Sequence, residues 1–110
     1  MNNLISDELV NDYLSVLISK LFKILPLKEN NSDTLHEYLQ SLQIEMFGAI
    51  NVIDNVQFNR AKVLSIINII QFFIDNDYDV VVCKREVFKC IDIIKKIEKS
   101  LGQEVESWEK

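Results

Sequence analysis

The chain has 110 residues, of which 48% are hydrophobic and 26% are charged, and its formal net charge at pH 7 is −5. This length and composition are those of one globular domain with its own core, which excludes a disordered chain. The negative charge argues against non-specific binding of nucleic acid, and only two glycines leave little material for a glycine-rich phosphate loop.

The first predicted helix covers residues 7–25. Ser6 is a typical N-cap, and Asp7 and Glu8 place negative charge in the first turn, where the helix dipole favours it. Apolar residues then recur at helical spacing in two adjacent rows, and Pro26 is expected to end the helix. The acidic start is unlike a secretion signal, and no apolar run approaches the roughly 20 residues of a membrane span. We therefore expect a cytoplasmic protein that does not bind membranes.

The second predicted helix covers residues 33–53. Its apolar residues form a seam with the spacing of a coiled coil: Leu35, Leu39, Leu42, Met46, Ala49 and Ile53. Gly48 lies at mid-helix, where glycine costs about 1 kcal/mol relative to alanine. A close helix crossing at this position would explain the glycine.

The third predicted helix, residues 58–75, is the most apolar stretch of the chain. Nine of the twelve residues in Val63–Ile74 are apolar, and Ser65, Asn68 and Gln71 form one narrow polar stripe. A helix that is apolar almost all round must be covered on several sides. We expect Ile67 and Ile70 to lie in the middle of the core.

One flank of this third helix has no evident partner within a four-helix bundle. It contains Ile66, Ile69 and Phe73. Exposed apolar surface of this kind is typical of binding sites, and a two-fold dimer is the commonest way to cover it. Asn68 could fix the register of such a dimer by pairing across the axis.

The fourth predicted helix covers residues 81–101. Val80–Val82 resembles a strand but has no partner run elsewhere, so it is interpreted as the start of this helix. The seam of the second helix recurs here: Cys83, Val87, Cys90, Ile94, Ile97 and Leu101. Gly102 is a typical C-terminal cap. Residues 1–102 are therefore predicted to form the domain, with residues 103–110 as an acidic tail.

Four acidic residues between the third and fourth helices resemble an EF-hand calcium loop. Asp75, Asp77, Asp79 and Glu86 have the spacing of loop positions 1, 3, 5 and 12. The sixth position needs glycine for a sharp turn and holds Val80, whose β-branched side chain disfavours positive φ. We therefore expect no bound metal or other cofactor, and interpret Asp79 as the cap of the fourth helix.

The fourth helix is basic although the chain is acidic. Residues 80–101 carry six basic and three acidic side chains, a net charge of +3, against −6 for residues 1–79. Such a face can bind phosphate or an acidic partner. It is also typical of a solvated face whose lysines follow the helix dipole.

Residues that could support catalysis do not form a recognisable constellation. His36 is expected to be exposed in a first helical turn, and Cys83 and Cys90 lie on the apolar seam, where burial makes a thiol inert. The phenylalanines at helical spacing are expected in the core: Phe22, Phe47, Phe58, Phe72, Phe73 and Phe88. We therefore expect a protein that is not an enzyme.

Together these patterns predict an all-α four-helix bundle with antiparallel up-down-up-down order. The favoured function is a non-enzymatic protein–protein interaction module that acts as a homodimer or adaptor. Its predicted partner-binding residues are Ile66, Asn68, Ile69, Phe73 and Trp108. Trp108 lies in the acidic tail and either folds back on the bundle or binds a partner. The alternative function is a small acidic inhibitor, of the immunity or phage anti-defence type, that binds a basic site on a toxin or nuclease.

Overall fold

The described part of the chain is all-helical. The computed structural model describes the backbone of residues 7–52 and 57–106 and the side chains of residues 11–50 and 59–99. Its helices are α1 (Asp7–Phe22), α2 (Ile24–Glu29), α3 (Leu35–Val52), α4 (Gln57–Asp75) and α5 (Val80–Glu106). These ranges contain no strand, so the predicted all-α class is confirmed, as is the helical interpretation of Val80–Val82.

The four long helices pack around one apolar core, to which the short α2 also contributes. The best-buried side chains come from every helix: Leu14, Leu17 and Leu21 in α1, Ile24 in α2, Leu39 and Met46 in α3, Val63, Ile66 and Ile70 in α4, and Val87, Ile94 and Ile97 in α5. Ile67 is 5% exposed and Ile70 fully buried, so the prediction that both lie in the core is confirmed. The described residues of the predicted seams of the second and fourth helices face this core as expected, and the side chains of Ile53 and Leu101 lie outside the described residues.

Pro26 interrupts the first predicted helix earlier than expected. Proline has no N–H to donate to the carbonyl four residues before it, and its ring clashes with that carbonyl. For Pro26 this carbonyl belongs to Phe22, the residue at which α1 ends. The chain resumes as α2 at Ile24, and Pro26 is tolerated there because the first turn of a helix needs no backbone donors. The predicted end at Leu25 was therefore wrong by three residues.

The short helix α2 packs against α5 beside the loop that joins α4 and α5. The Lys28 Nζ atom lies 4.2 Å from the centroid of the Tyr78 ring, which is within the range of a cation–π interaction. Tyr78 in turn packs on Phe73, with ring centroids 4.6 Å apart. This contact fixes the loop between α4 and α5 against the end of the bundle.

The two ends of α5 differ in how well the sequence predicted them. Asp79 caps the helix as predicted, because its Oδ1 atom accepts a hydrogen bond of 2.9 Å from the Val82 N–H. Gly102 does not end it: α5 continues to Glu106. A helical glycine costs only about 1 kcal/mol, so neighbouring residues that favour helix can carry the chain through it. The division into residues 1–102 and a tail stays a prediction.

The long helices are arranged as a ring of neighbours. Helix α3 packs against α4, α4 against α5, and α5 against α1. Between α1 and α3, Lys20 Nζ lies 2.7 Å from Glu45 Oε1, and the Tyr38 hydroxyl donates a 2.7 Å hydrogen bond to the Lys20 carbonyl. The α1–α5 side and the α3–α4 side of the bundle are therefore opposite one another. No helix within the described ranges is both long and apolar enough to cross a bilayer.

Candidate functional site

The four carboxylates of the calcium-like motif do not form a metal site in the structure. Asp79 caps α5, and Asp75 Oδ2 accepts a 2.9 Å hydrogen bond from the Gln71 side chain. Glu86 lies inside α5, where Arg85 Nε donates to Glu86 Oε2 at 2.9 Å and Lys89 Nζ lies 3.5 Å from Glu86 Oε1. Among the described residues, no group of three or more histidine, cysteine, aspartate or glutamate side chains could hold a metal ion.

Both cysteines and the only histidine lie where the sequence predicted them. Cys83 and Cys90 are free and fully buried. Burial raises the pKa of the Cys83 thiol and raises that of Cys90 to about 12, which keeps both thiols protonated and unreactive at neutral pH. His36 is exposed in the first turns of α3.

The buried Cys90 and the half-buried Tyr78 should make the fold sensitive to alkali. Burial raises the pKa of both groups to about 12, from ordinary values of 9.0 for the thiol and 10.0 for the phenol. Because the folded state favours the neutral forms, their contribution to stability is present below pH 9 and is lost as the pH rises towards 12. We expect the free energy of unfolding, measured by urea denaturation, to fall across this range. The double variant Cys90→Ala, Tyr78→Phe should show a smaller fall, and an equal fall in both proteins would contradict the assignment.

The predicted partner-binding flank of the third helix lies mostly inside the bundle. Ile66 is fully buried and Phe73 is 4% exposed, while Ile69 is half-buried against the core. Assigning Ile66 and Phe73 to partner binding was therefore wrong. The reason is that α4 packs against both α3 and α5. These two helices together bury more of its circumference than the single apolar stripe assumed for a helix in a four-helix bundle. Asn68 is exposed, and Trp108 lies outside the described residues.

The apolar side chains that are exposed on α3 and α4 are different ones. Ile44 is 72% exposed, Phe47 53%, and Leu64 and Phe72 40% each. Phe47 and Phe72 were expected in the core, and that expectation was wrong. Leu64, Asn68 and Phe72 follow one another at intervals of four residues, so they lie along one line on the outer side of α4.

These residues belong to a surface without exposed charge, which we call the neutral face. Every exposed residue between positions 40 and 48 and between positions 61 and 72 is uncharged. The neutral face comprises Gln40, Ser41, Ile44, Phe47 and Gly48 of α3 and Ala61, Leu64, Ser65, Asn68, Gln71 and Phe72 of α4. Glu45 and Lys62 fall within the same ranges but are half-buried. In a chain with 26% charged residues, this depletion is typical of the centre of a protein interface.

The two halves of the neutral face meet along the seam between α3 and α4. Gln43 Nε2 donates hydrogen bonds to the Gln71 side chain at 2.8 Å and to the Ile67 carbonyl at 3.3 Å. Phe47 is one turn from Gln43 in α3, and Leu64 is two turns from Gln71 in α4. The seam therefore continues from the glutamines towards Phe47 and Leu64.

Gly48 lies on the outer side of α3, within the neutral face. A Cβ atom added there would meet nothing within 4 Å. The close helix crossing that the sequence suggested at this glycine is therefore not made by the described helices. A glycine at mid-helix destabilises the isolated bundle by about 1 kcal/mol relative to alanine, without a compensating contact in the bundle.

The opposite side of the bundle carries a second distinctive surface, which we call the basic face. It comprises Ser15, Ser19 and Phe22 of α1 and Val81, Lys84, Phe88 and Lys95 of α5. Phe22 and Phe88 are 42% and 48% exposed, and their rings meet edge to face with centroids 5.7 Å apart. Both were expected in the core, which was wrong, and the structure instead joins them across the α1–α5 groove.

Among the described residues, the buried side chain of Asn59 has no hydrogen-bond partner at either polar atom. Asn59 is 1% exposed, and neither its Oδ1 nor its Nδ2 atom forms a hydrogen bond. It lies inside the first turn of α4 and therefore does not cap that helix. An unpartnered buried amide costs about 1–3 kcal/mol, and nothing in the structure explains its presence.

The sequence contains a signal for the neutral face that apolar periodicity alone does not reveal. Residues 63–74 contain no charged residue, and between positions 38 and 50 Glu45 is the only one. Periodicity locates the buried seams, but an absence of charge on the exposed positions is what distinguishes this face. Comparison with known protein families, with curated protein sequences and with solved structures finds no match to this chain.

Proposed function

We propose that this chain is a cytoplasmic, non-enzymatic protein–protein interaction module that forms a homodimer through its neutral face. The observation that carries the proposal is the combination on one surface of four exposed large apolar side chains and no exposed charge. Interface centres have this composition, whereas solvated helical surfaces are usually rich in charge. Gly48 adds support, because a bare backbone position lets another helix approach closely.

A second copy of the chain is the partner that the charges favour. Two neutral faces can meet around a two-fold axis without bringing like charges together. Two basic faces cannot, because Lys84 and Lys95 of each copy would approach the same residues of the other. Asn68 lies on the neutral face, where its amide can pair with its own symmetry mate.

The driving force for the dimer would be the burial of its exposed apolar surface. In each copy the contact would cover four large apolar side chains, and apolar burial is the main favourable term in most protein association. We expect a reversible dimer whose population depends on concentration.

The proposal includes the antiparallel up-down-up-down order of the four long helices. Contacts between opposite ends of neighbouring helices support it. Tyr38, near the start of α3, bonds to Lys20, near the end of α1. Phe22 at the end of α1 contacts Phe88 in the first half of α5, and Lys28 contacts Tyr78, just before α5 begins.

Sedimentation equilibrium tests the proposal directly. We expect the weight-average mass to rise from 12.8 kDa towards twice that value as the concentration increases through the micromolar range. A mass that stays at 12.8 kDa up to about millimolar concentration, where association is worth only about 4 kcal/mol, would contradict the homodimer.

The alternative function, an acidic inhibitor of a toxin or nuclease, has less support. Its basis is the net charge of −5. An inhibitor of this type needs a concentrated acidic surface, and the charged surface on α5 is basic: its exposed side chains between residues 80 and 99 include six basic residues and one acid, Asp92.

A further inference from the structure

We propose that the acidic C-terminal segment, residues 103–110, of one copy binds the basic face of a second copy. Trp108 would lie against the Phe22–Phe88 pair, and the glutamates of the segment would lie beside Lys84 and Lys95. This contact is separate from the neutral face, because the α1–α5 side and the α3–α4 side of the bundle are opposite one another.

The basic face has both an apolar centre and unpaired positive charge. The exposed edges of Phe22 and Phe88 form its centre, and Val81, which is 71% exposed, lies two turns before Phe88 on the same side of α5. Among the described side chains, neither Lys84 nor Lys95 has an ion-pair partner, whereas Arg85 and Lys89 are engaged by Glu86. From α1 the face receives the uncharged Ser15 and Ser19. Exposed acidic residues also border the face: Asp12, one turn before Ser15 in α1, and Asp92, one turn after Phe88 in α5.

The C-terminal segment has the complementary composition. Its sequence, Q-E-V-E-S-W-E-K, contains three glutamates against one lysine, and its apolar residues are Val105 and Trp108. Tryptophan is among the residues that contribute most to binding when it enters an apolar site. Opposite charges around that site align the segment and accelerate its association.

The length of α5 determines which copy supplies the segment. Phe88 and Glu106 are both in α5, and the 18 residues between them correspond to about 27 Å along the helix. The four residues after Glu106 span at most about 14 Å when fully extended. The segment cannot reach the basic face of its own copy while α5 is helical, so the donor is a second copy.

Trp108 is the only tryptophan in the chain, so its fluorescence tests the proposal in the full-length protein. We expect its emission maximum to shift to shorter wavelength as protein concentration rises, with a half-saturation concentration that increases with salt. Phe88→Ser should raise that concentration at least tenfold, since it removes half of the aromatic pair from a position that is 48% exposed. Circular dichroism checks that this variant stays folded.

Two charge reversals and one neutral-face variant complete the test. Lys84→Glu, one turn from Phe88, should raise the half-saturation concentration about tenfold, a change of about 1.4 kcal/mol. Lys96→Glu makes the same change in net charge on another side of α5, and should have a clearly smaller effect. Leu64→Glu alters the neutral face alone, so the shift of Trp108 emission should persist in it.

Three outcomes would overturn the proposal. An emission maximum that lies at short wavelength at every protein concentration would show that Trp108 docks within its own copy. A maximum that lies at long wavelength at every concentration would show that Trp108 stays in water. A shift that is lost in Leu64→Glu but kept in Phe88→Ser would show that Trp108 reports the neutral-face dimer. Persistence of dimerisation with loss of the Trp108 shift would leave the proposed function intact and refute this contact alone.

Discussion

Leu64→Glu is expected to break the neutral-face dimer without unfolding the bundle. Leu64 is 40% exposed in the monomer, so a glutamate there can keep its carboxylate in water. In the dimer the same carboxylate would be buried in an uncharged interface, and a buried charge without a partner costs several kcal/mol. The two-fold axis would introduce this cost twice. We expect the dissociation constant of the neutral-face dimer to rise at least 100-fold, measured by sedimentation equilibrium at a salt concentration that suppresses the proposed contact of the C-terminal segment.

Val16→Glu is the matched control for this variant. Val16 is also an apolar helical residue, 48% exposed, and its replacement changes the net charge by the same amount. It lies on α1, outside the neutral face, so it should leave the dissociation constant within about threefold of its original value. Equal effects of the two variants would show that net charge, and not the neutral face, governs association.

The second large effect is expected at Ile70, in the middle of the core. Ile70 is fully buried among apolar side chains of several helices, so Ile70→Ala removes buried methyl groups and leaves a cavity. Changes of this type cost about 2–5 kcal/mol, against a total stability of about 5–15 kcal/mol for a small domain. Urea denaturation at concentrations where the protein is monomeric should show this loss.

Leu64→Ala is the control for the core variant. It removes a similar volume from the same helix, but at a site that is already 40% exposed. We expect it to destabilise the monomer by less than about 1 kcal/mol. A loss below about 1 kcal/mol for Ile70→Ala would mean that the site is loosely packed, and would contradict the described core.

The helices and most of the core could be predicted from the sequence because each depends on local pattern. Seam positions such as Leu39, Met46, Cys83 and Ile94 repeat at intervals of three and four residues, and all are buried. Asp79 was identified as a cap from its position before an apolar run. These features need no knowledge of which helix packs on which.

The ends of helices were predicted less well, because a residue that weakens a helix competes with neighbours that favour it. Pro26 was expected to stop the chain from being helical, but its ring disturbs the carbonyl of Phe22 and is harmless in the first turn of a new helix. Gly102 was expected to end α5, although glycine only weakens a helix. Pro26 and Gly102 were both correctly recognised as residues that weaken a helix. Whether the helix ends there depends on the neighbouring residues.

The exposed apolar side chains of α4 lie on a different side of the helix from the one that the sequence predicted. The sequence shows that α4 has more apolar residues than one stripe, but not how wide an arc its neighbours cover. Burial of Ile66 and Phe73 and exposure of Leu64 and Phe72 depend on the positions of α3 and α5. The contact between Gln43 and Gln71, which joins the two halves of the neutral face, links residues 28 positions apart. No local pattern contains that pairing.

Helix α5 also has a consequence for how the protein forms during its synthesis. It is the last helix of the described chain, and it packs against α1, α2 and α4. Six of the nineteen well-buried apolar side chains in the described region belong to it: Cys83, Val87, Cys90, Ile91, Ile94 and Ile97. While α5 is still inside the ribosome, the apolar sides of the helices that it covers remain open to water. A nascent chain therefore cannot close this core until α5 has left the ribosome, and until then its exposed apolar surface is of the kind that chaperones protect from aggregation.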